Sequence, residues 1–426
     1  MPFKSFLKSL GPGLITGASD DDPSGIATFS QAGAQFGYNI LWLAPFQYPL
    51  MVVIQEMCAR IGLLTGNGLS AIIKKKYSKR IVMPLIFLLF IANTINSGAD
   101  INAMAASINL LVPQIPSHIF SVLLTVAIIS ANILIPYKKY VKILKYLTIS
   151  LFSYVVTSII VGGNWNQILF SSLIPHFEYS SDFAMMFVAI LGTSISPYLF
   201  FWQASEEVEE QVLKKKIKDF GKGKPLITKR EIKSMRLDIL VGLGFSLFIV
   251  WSIIITAAGT LFINGITNIQ SADQAAKAIE PLVKSFPNAG DIAKAIFAVG
   301  IIGTGLLSIP VLAGSSAYAI SDIFGWKQGL SKKFGQAKAF YLIITISAII
   351  GLSINFVGIN PIKALIYTAV INGVVSIPII FIIMKIANDK KILGDNINNN
   401  ISNVIGWFTF ILMTISVFVM FVSWLR

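Results

Sequence analysis

The stretch Gly11-Pro-Gly-Leu-Ile-Thr-Gly-Ala-Ser-Asp20-Asp21-Asp22-Pro23-Ser-Gly25 decides how the chain is read. It sets three carboxylates, a proline and two flanking glycines inside a segment that otherwise reads as membrane-buried. Charge in hydrocarbon is costly, so such residues face a cavity or an ion path. Pro23 lacks a backbone donor and disfavours helix at Asp22. An interrupted helix with carboxylates at its break is how a cation site is built within a membrane.

The rest of the chain fits that setting. Of 426 residues, 55% are hydrophobic and 13% charged, against about 25% charged in a soluble domain. This is the composition of an integral membrane protein. One cysteine, Cys58, excludes an intrachain disulfide and any multi-cysteine metal centre. His118 and His176 read as isolated loop residues, which is not the context of a zinc site. No His-Glu-x-x-His, phosphate-binding Gly-rich loop or Gly-x-Ser-x-Gly occurs, so neither an enzyme nor a bound cofactor is expected.

A membrane span takes about 20 mostly apolar residues. Eleven are expected, near 11–36, 40–64, 81–111, 117–136, 143–163, 182–205, 237–263, 292–322, 337–357, 361–386 and 402–425, the first and sixth interrupted. Loops on one side carry 28 of the 34 Lys and Arg residues, ten of them between Lys214 and Arg236. That asymmetry predicts a cytoplasmic N-terminus, an external C-terminus and a plasma (inner) membrane location. It also explains the net charge of +14 without nucleic acid. Lys4 and Lys8 imitate the start of a signal peptide, but the aspartates break the apolar run and no cleavage pattern follows. The basic loop 214–236 reads as a solvated linker attracted to anionic lipid. Residues 270–285 read as a short amphipathic outer helix. No obligatory protein partner is evident.

The sixth span holds a second break, Leu191-Gly192-Thr193-Ser194-Ile195-Ser196-Pro197-Tyr198. Spans 1 and 6 take the same place in two successive five-span units. Paired Gly/Pro interruptions in corresponding halves mark a transport site near the bilayer midplane. Unwound peptides there free carbonyls for a cation, and half-helix ends supply dipoles. Each break also has a plainer reading, as a packing kink or as a helix cap.

Gly11-Pro-Gly, Asp22-Pro23-Ser24-Gly25 and Ala27-Thr28 resemble the first span of the NRAMP divalent-metal transporters, which carry Asp-Pro-Gly-Asn at this break. The sixth span resembles that family's Gly-Ala-Thr-Val-Met-Pro-His segment, and a weaker similarity covers nearly the whole chain. The resemblance implies an all-α membrane fold of LeuT type. One five-helix repeat would span about 11–163, an inverted second about 182–386, and an extra helix about 402–425, as a single domain over 1–426. It implies a divalent-metal site at Asp22, Gly25, Thr193 and Ser196, with Asp20, Asp21 and Asn372 in second rank. Asp22 keeps the family's metal-binding aspartate and Thr193 falls at its carbonyl ligand. Gly25 stands in place of a ligand asparagine and Ser196 in place of a ligand methionine. Tyr198 and Gln203 replace histidines, and the proton-path acids of span 3 are unmatched by Asn93, Asn96, Asp100 and Asn102. The combination resembles the family's magnesium-transporting branch most.

A thioether favours transition metals, and its absence removes that preference. Mg²⁺ wants six oxygens and keeps much of its water, for which glycine and serine leave room. The expected cargo is therefore Mg²⁺, with proton-coupled Mn²⁺ or Fe²⁺ transport as the alternative. An amino-acid carrier is disfavoured, because three aspartates would repel a substrate carboxylate. Glu206, Glu207, Glu209 and Glu210 form either an exit vestibule or a solvated helix end paired with Lys214. Glu56 and Arg60 have the spacing of a helical ion pair. Gly300, Gly303, Gly305 and Ser308 read as close-packing positions.

Overall fold

The computed structural model describes residues 11–135 and 151–425; part of the fifth expected span and the lysines at 4, 8, 138, 139, 142 and 145 lie outside them. Among the described residues the only β pairing is one isolated bridge, Asp219 with Lys222. The first span is two helices, α1 (Pro12–Asp20) and α2 (Pro23–Phe36). Next come α3 (Leu43–Thr65), α4 (Leu69–Lys76), α5 (Lys79–Leu111), α6 (Ser117–Leu134), α7 (Phe152–Val161) and α8 (Trp165–Leu173). The sixth span is α9 (Ser181–Ser194) and α10 (Pro197–Leu213). It is followed by α11 (Lys229–Ala257), α12 (Ala272–Ala276), α13 (Ala289–Phe324), α14 (Lys338–Ile354), α15 (Pro361–Ala387), α16 (Lys390–Leu393) and α17 (Asn400–Trp424).

Among the described residues, seven helical segments are by themselves long and apolar enough to cross a membrane: α5, α6, α9 with α10, α11, α13, α15 and α17. The remaining expected spans have local reasons for falling short. The first is cut by its aspartates, and α3 turns by 81° into α4 at Gly66, whose φ is +63°. The helix α14 is an apolar piece of 17 residues, and α7, with 10, is the described part of the fifth expected span, whose earlier residues lie outside the described ones. The expected outer helix at 270–285 is α12 running into a 3₁₀ segment, Lys277–Val283. His118 lies in the first turn of α6 rather than in a loop.

The interrupted spans form the centre. The α9–α10 span is 89% buried over its apolar window, against 28% for α17 at the periphery. Outer faces carry bare apolar side chains such as Phe87, Leu123 and Phe418, which suit lipid. Small residues allow the central helices to touch. A Cβ on Gly17 would stand 2.2 Å from the Gly242 carbonyl oxygen of α11, and one on Gly192 would stand 2.1 Å from that of Ala369 on α15. Asp238 of α11 then fixes the start of α1 by accepting from the amides of Gly11 (2.8 Å) and Gly13 (2.7 Å). Its charge also sits favourably at the positive end of that helix.

The Glu56–Arg60 pair is present at 3.0 Å. Arg60 is fully buried, and its guanidinium also donates to the Asn396 carbonyl (2.5 Å) and Asn398 Oδ1 (2.6 Å). The acidic run departs from expectation. Glu210 does pair with Lys214, but Glu206, Glu207 and Glu209 are buried rather than solvated. Glu207 accepts from Gln203 Nε2, and Glu209 accepts from Tyr318 on α13, both at 3.0 Å. The helix continues eight residues past its expected end, into the protein rather than into water.

Candidate functional site

Pro23 opens α2, so Asp21 and Asp22 are left as the joint between two half-helices. Asp22 is the N-cap of α2: its Oδ1 accepts from the Gly25 amide at 2.7 Å. Its Oδ2 accepts from Asn96 Nδ2 of α5 at 3.2 Å. The plainer reading of the triplet as a cap is thus correct for Asp22, but this cap is 1% exposed and lies deep in the protein. Asp20 and Asp21 turn to α11. Ser246 Oγ lies 2.8 Å from Asp20 Oδ2 and 3.1 Å from Asp21 Oδ1. One hydroxyl proton serves one of them at a time. Asp20 Oδ1 and Asp21 Oδ2 are buried with no hydrogen-bond partner.

Across from this joint, α9 ends at Ser194 and Pro197 opens α10. Ser196 Oγ is 2.7 Å from the Gly192 carbonyl and 2.6 Å from that of Thr193. Its hydroxyl therefore engages carbonyls that the break would otherwise leave bare, although each carbonyl keeps a second lone pair. Tyr198 donates from its phenol to the Ser19 carbonyl at 3.0 Å, linking the two broken spans directly. Gly25 lies between them. A Cβ there would meet the Asp20 carbonyl oxygen at 2.9 Å, Thr193 Oγ1 at 3.4 Å and Asp22 Oδ1 at 3.5 Å.

The structure thus gathers Asp22, Gly25, Thr193 and the Asp20 carbonyl at one place, with Ser196 just beyond Thr193, while the Asp20 and Asp21 side chains turn to Ser246 beside it. Asn372 is buried on α15 and neither of its amide atoms has a partner; no described bond ties it to the two breaks. Gln203 accepts from Thr16 Oγ1 at 2.5 Å and so works between α1 and α10, away from the joint.

Two participants on α5 were not singled out from the sequence as site residues. Asn96 holds Asp22, and Asp100 one turn later lies close enough for its charge to act on that of Asp22. Asp100 Oδ2 accepts from Ser308 of α13 at 3.0 Å, and its Oδ1 has no partner. The available signal was Asp100 itself, an ionisable residue within a span. Ser308, read as a packing position, is the hydrogen-bond donor to that carboxylate.

The four aspartates share one electrostatic property. None takes part in an ion pair among the described residues. Uncompensated buried carboxylates are strongly disfavoured, so the region attracts cations or protons. The donors are all oxygen: carboxylates, hydroxyls and carbonyls. Among the described residues no three His, Cys, Asp or Glu side chains converge as a self-sufficient metal cage. A cation held here takes one or two carboxylates and completes its shell with carbonyls, hydroxyls or water, as hard divalent ions do.

A helical bundle with two broken spans meeting at a buried acidic joint is the LeuT-type transporter fold. Solved structures agree on the fold. The manganese transporter of Eremococcus coleocola superposes with a TM-score of 0.75 at 17% identity, covering 97% of this chain and 86% of that one. The transporter MhsT, solved with L-phenylalanine, superposes with a TM-score of 0.62 at 12% identity, covering 96% and 98%. Residues 13–423 match the family described as natural resistance-associated macrophage protein-like, and the chain belongs to this Nramp family. It is an integral, multi-pass membrane protein. Curated relatives include the divalent metal cation transporters MntH of Caldanaerobacter subterraneus, 24% identical over 95% of this chain and 90% of the relative, and of Listeria welshimeri, 25% identical over 95% and 87%.

Proposed function

We propose that this protein carries a divalent metal cation across the membrane by alternating access, with the ion bound between the two broken spans. The observation that carries the reading is the set of four buried aspartates, Asp20, Asp21, Asp22 and Asp100, with no described basic partner. Asp22 is the central ligand, helped by the Thr193 region, with Ser196 behind it and Asn372 as a more distant contact to a hydrated ion. The relatives' names support metal as the cargo and manganese in particular. An all-oxygen donor set accommodates Mn²⁺. Transport of Mn²⁺ or a similar transition-metal ion is therefore the better supported reading, and its coupling to protons is what an internal pH-sensitive dye tests.

Mg²⁺ is the second reading, and a specific observation favours it. Positions 25 and 196 offer no amide oxygen and no sulfur, and the Ser196 hydroxyl is already engaged with backbone carbonyls. A partly hydrated hard ion suits such a shell. An amino-acid carrier fits poorly despite the shared fold, since the acidic joint repels a substrate carboxylate. Nothing in the site supplies a nucleophile with its base, and we read the chain as a carrier, not an enzyme. The basic loops support a cytoplasmic N-terminus and an external C-terminus. The positions of the breaks support repeats near 11–163 and 182–386, with α17 outside both.

Uptake by proteoliposomes, with Mn²⁺ and Mg²⁺ in competition and a pH-sensitive dye inside, tests the reading. Saturable Mn²⁺ entry with acidification is expected. Preferential Mg²⁺ entry without acidification would support the second reading, and no uptake of either ion would overturn both.

A further inference from the structure

The segment between α10 and α11 is a built element rather than a slack linker. Lys216 N–H donates to the Gln211 carbonyl at 2.9 Å, closing the end of α10. This places Lys215 at φ +58°, a left-handed conformation that glycine usually takes at a helix end and that costs a side-chain-bearing residue about 1 kcal/mol or more. A tight turn follows, with Lys222 N–H donating to the Asp219 carbonyl (2.9 Å) and Lys218 N–H to that of Lys222 (3.2 Å). The turn is clipped to the body at three points. Gly221 N–H donates to the Gly66 carbonyl (2.8 Å), Asp219 pairs with Lys332 (2.6 Å), and Phe220 stacks on Tyr318 of α13 at 5.6 Å.

The turn and the end of α10 enclose an open concavity lined by Lys215, Lys216, Lys218 and Lys222 with Val212 and Ile217. All four lysines are exposed. Among the described residues only Lys216 has a carboxylate partner, Glu231. Lysines after a helix complement its negative end, which accounts for Lys215 and Lys216. It does not account for Lys218 and Lys222, which the turn folds back toward the same space. Four like charges held together by a rigid turn repel one another unless an anion sits among them.

We infer that this concavity binds the phosphate of an anionic lipid headgroup. The connection joins the helical extensions of two spans, at Leu213 and Lys229, on the side of the protein where the basic loops gather, the side that faces anionic headgroups. Beside it, Leu226 is 87% exposed and offers an apolar contact to the same surface. Anionic membranes attract basic residues placed in this way. Because Phe220 and Asp219 tie the turn to α13 and to Lys332, a bound lipid contacts the same unit as these helices.

The test uses the full chain in neutral detergent, mixed with phosphatidylglycerol or with phosphatidylcholine, and measures lipid retained after gel filtration. The wild type retains phosphatidylglycerol in preference to phosphatidylcholine. The triple variant Lys215→Gln, Lys218→Gln, Lys222→Gln loses affinity on the order of 5-fold per lysine. The triple variant Lys229→Gln, Arg230→Gln, Lys233→Gln, of equal charge change on the same connection, retains the lipid. Wild-type retention also falls severalfold as ionic strength rises from about 0.05 to about 0.5 M, a reading independent of any variant. Equal loss in both triple variants, equal retention of both lipids, insensitivity to salt, or full displacement by millimolar inorganic phosphate would each overturn the assignment.

Discussion

Asn96 donates its amide to Asp22 across 3.2 Å, so the carboxylate at the break of the first span is aimed by a helix that reaches it from 74 residues away. With the Gly25 amide on its other oxygen, Asp22 is held at both ends while its charge has no described basic partner. Asp22→Asn therefore separates charge from structure. Asparagine also caps helices well, so thermal stability should change by less than about 1 kcal/mol. Divalent uptake should fall at least tenfold. Uptake near the wild-type rate would place the ion elsewhere, with Asp20 or Asp21 next in line.

Ser246 supplies the only described hydrogen bonds to the Asp20 and Asp21 side chains. Ser246→Ala leaves two buried carboxylates with nothing to accept from, at a cost of about 1–3 kcal/mol. Melting of the purified variant should drop in chelator and recover a larger share of its stability on adding Mn²⁺ than the wild type gains. A loss of equal size with and without metal would show that these two acids do not face the ion.

Selectivity is tested at Ser196 and Gly25. Ser196→Met introduces a soft sulfur and should favour Mn²⁺ or Cd²⁺ over Mg²⁺ in competition uptake. Gly25→Asn should add to that shift, but at a structural cost, because its Cβ would lie 2.9 Å from a backbone oxygen that cannot easily move. The double variant should shift the ratio furthest and melt lower than Ser196→Met alone. An unchanged ion ratio in the double variant would mean that selectivity is set beyond these two residues.

Arg60 stabilises the protein away from the site. Arg60→Ala leaves Glu56 with only Arg236 and strips donors from Asn396 and Asn398. A loss of about 1–3 kcal/mol is expected from the buried acceptors left without a donor, since Arg236 still balances the charge of Glu56. Thermal unfolding in detergent measures it. A shift within error would show that the loop before α17 is held by other contacts.

The basic loops predict the topology. A reporter fused at Arg426 should be active only outside the membrane, and one at the N-terminus only inside. A cytoplasmic signal from the C-terminal fusion would require a missing or an additional span.

The two breaks were legible because proline and glycine act on their own backbone, so the interruption is written where it occurs. The same is true of the Glu56–Arg60 pair, whose spacing is local. Asn96 and Asp100 were not legible as site residues, since α5 is a long helix and nothing local says which neighbour each side will meet. The bond from Ser246 to Asp20 spans 226 residues of sequence and exists only after packing. Burial of Glu206, Glu207 and Glu209 was missed for the same reason: an acidic run looks solvated until Gln203 and Tyr318 are brought against it. The helix α14, Lys338–Ile354, is a few residues shorter than the apolar run 337–357 from which it was read, so hydropathy marks which segment is apolar better than it marks its ends.

The contact of Gly17 with Gly242 limits how this protein can move. Where two helices meet backbone to backbone, no side chain lies between them to act as a bearing. They cannot slide in small steps by changing rotamers, as helices separated by leucines can. With Asp238 clamping the first turn of α1 as well, the N-terminal half of the first span has two choices: to swing with α11 as one rigid leaf, or to come away from it in a single parting that opens the whole seam at once.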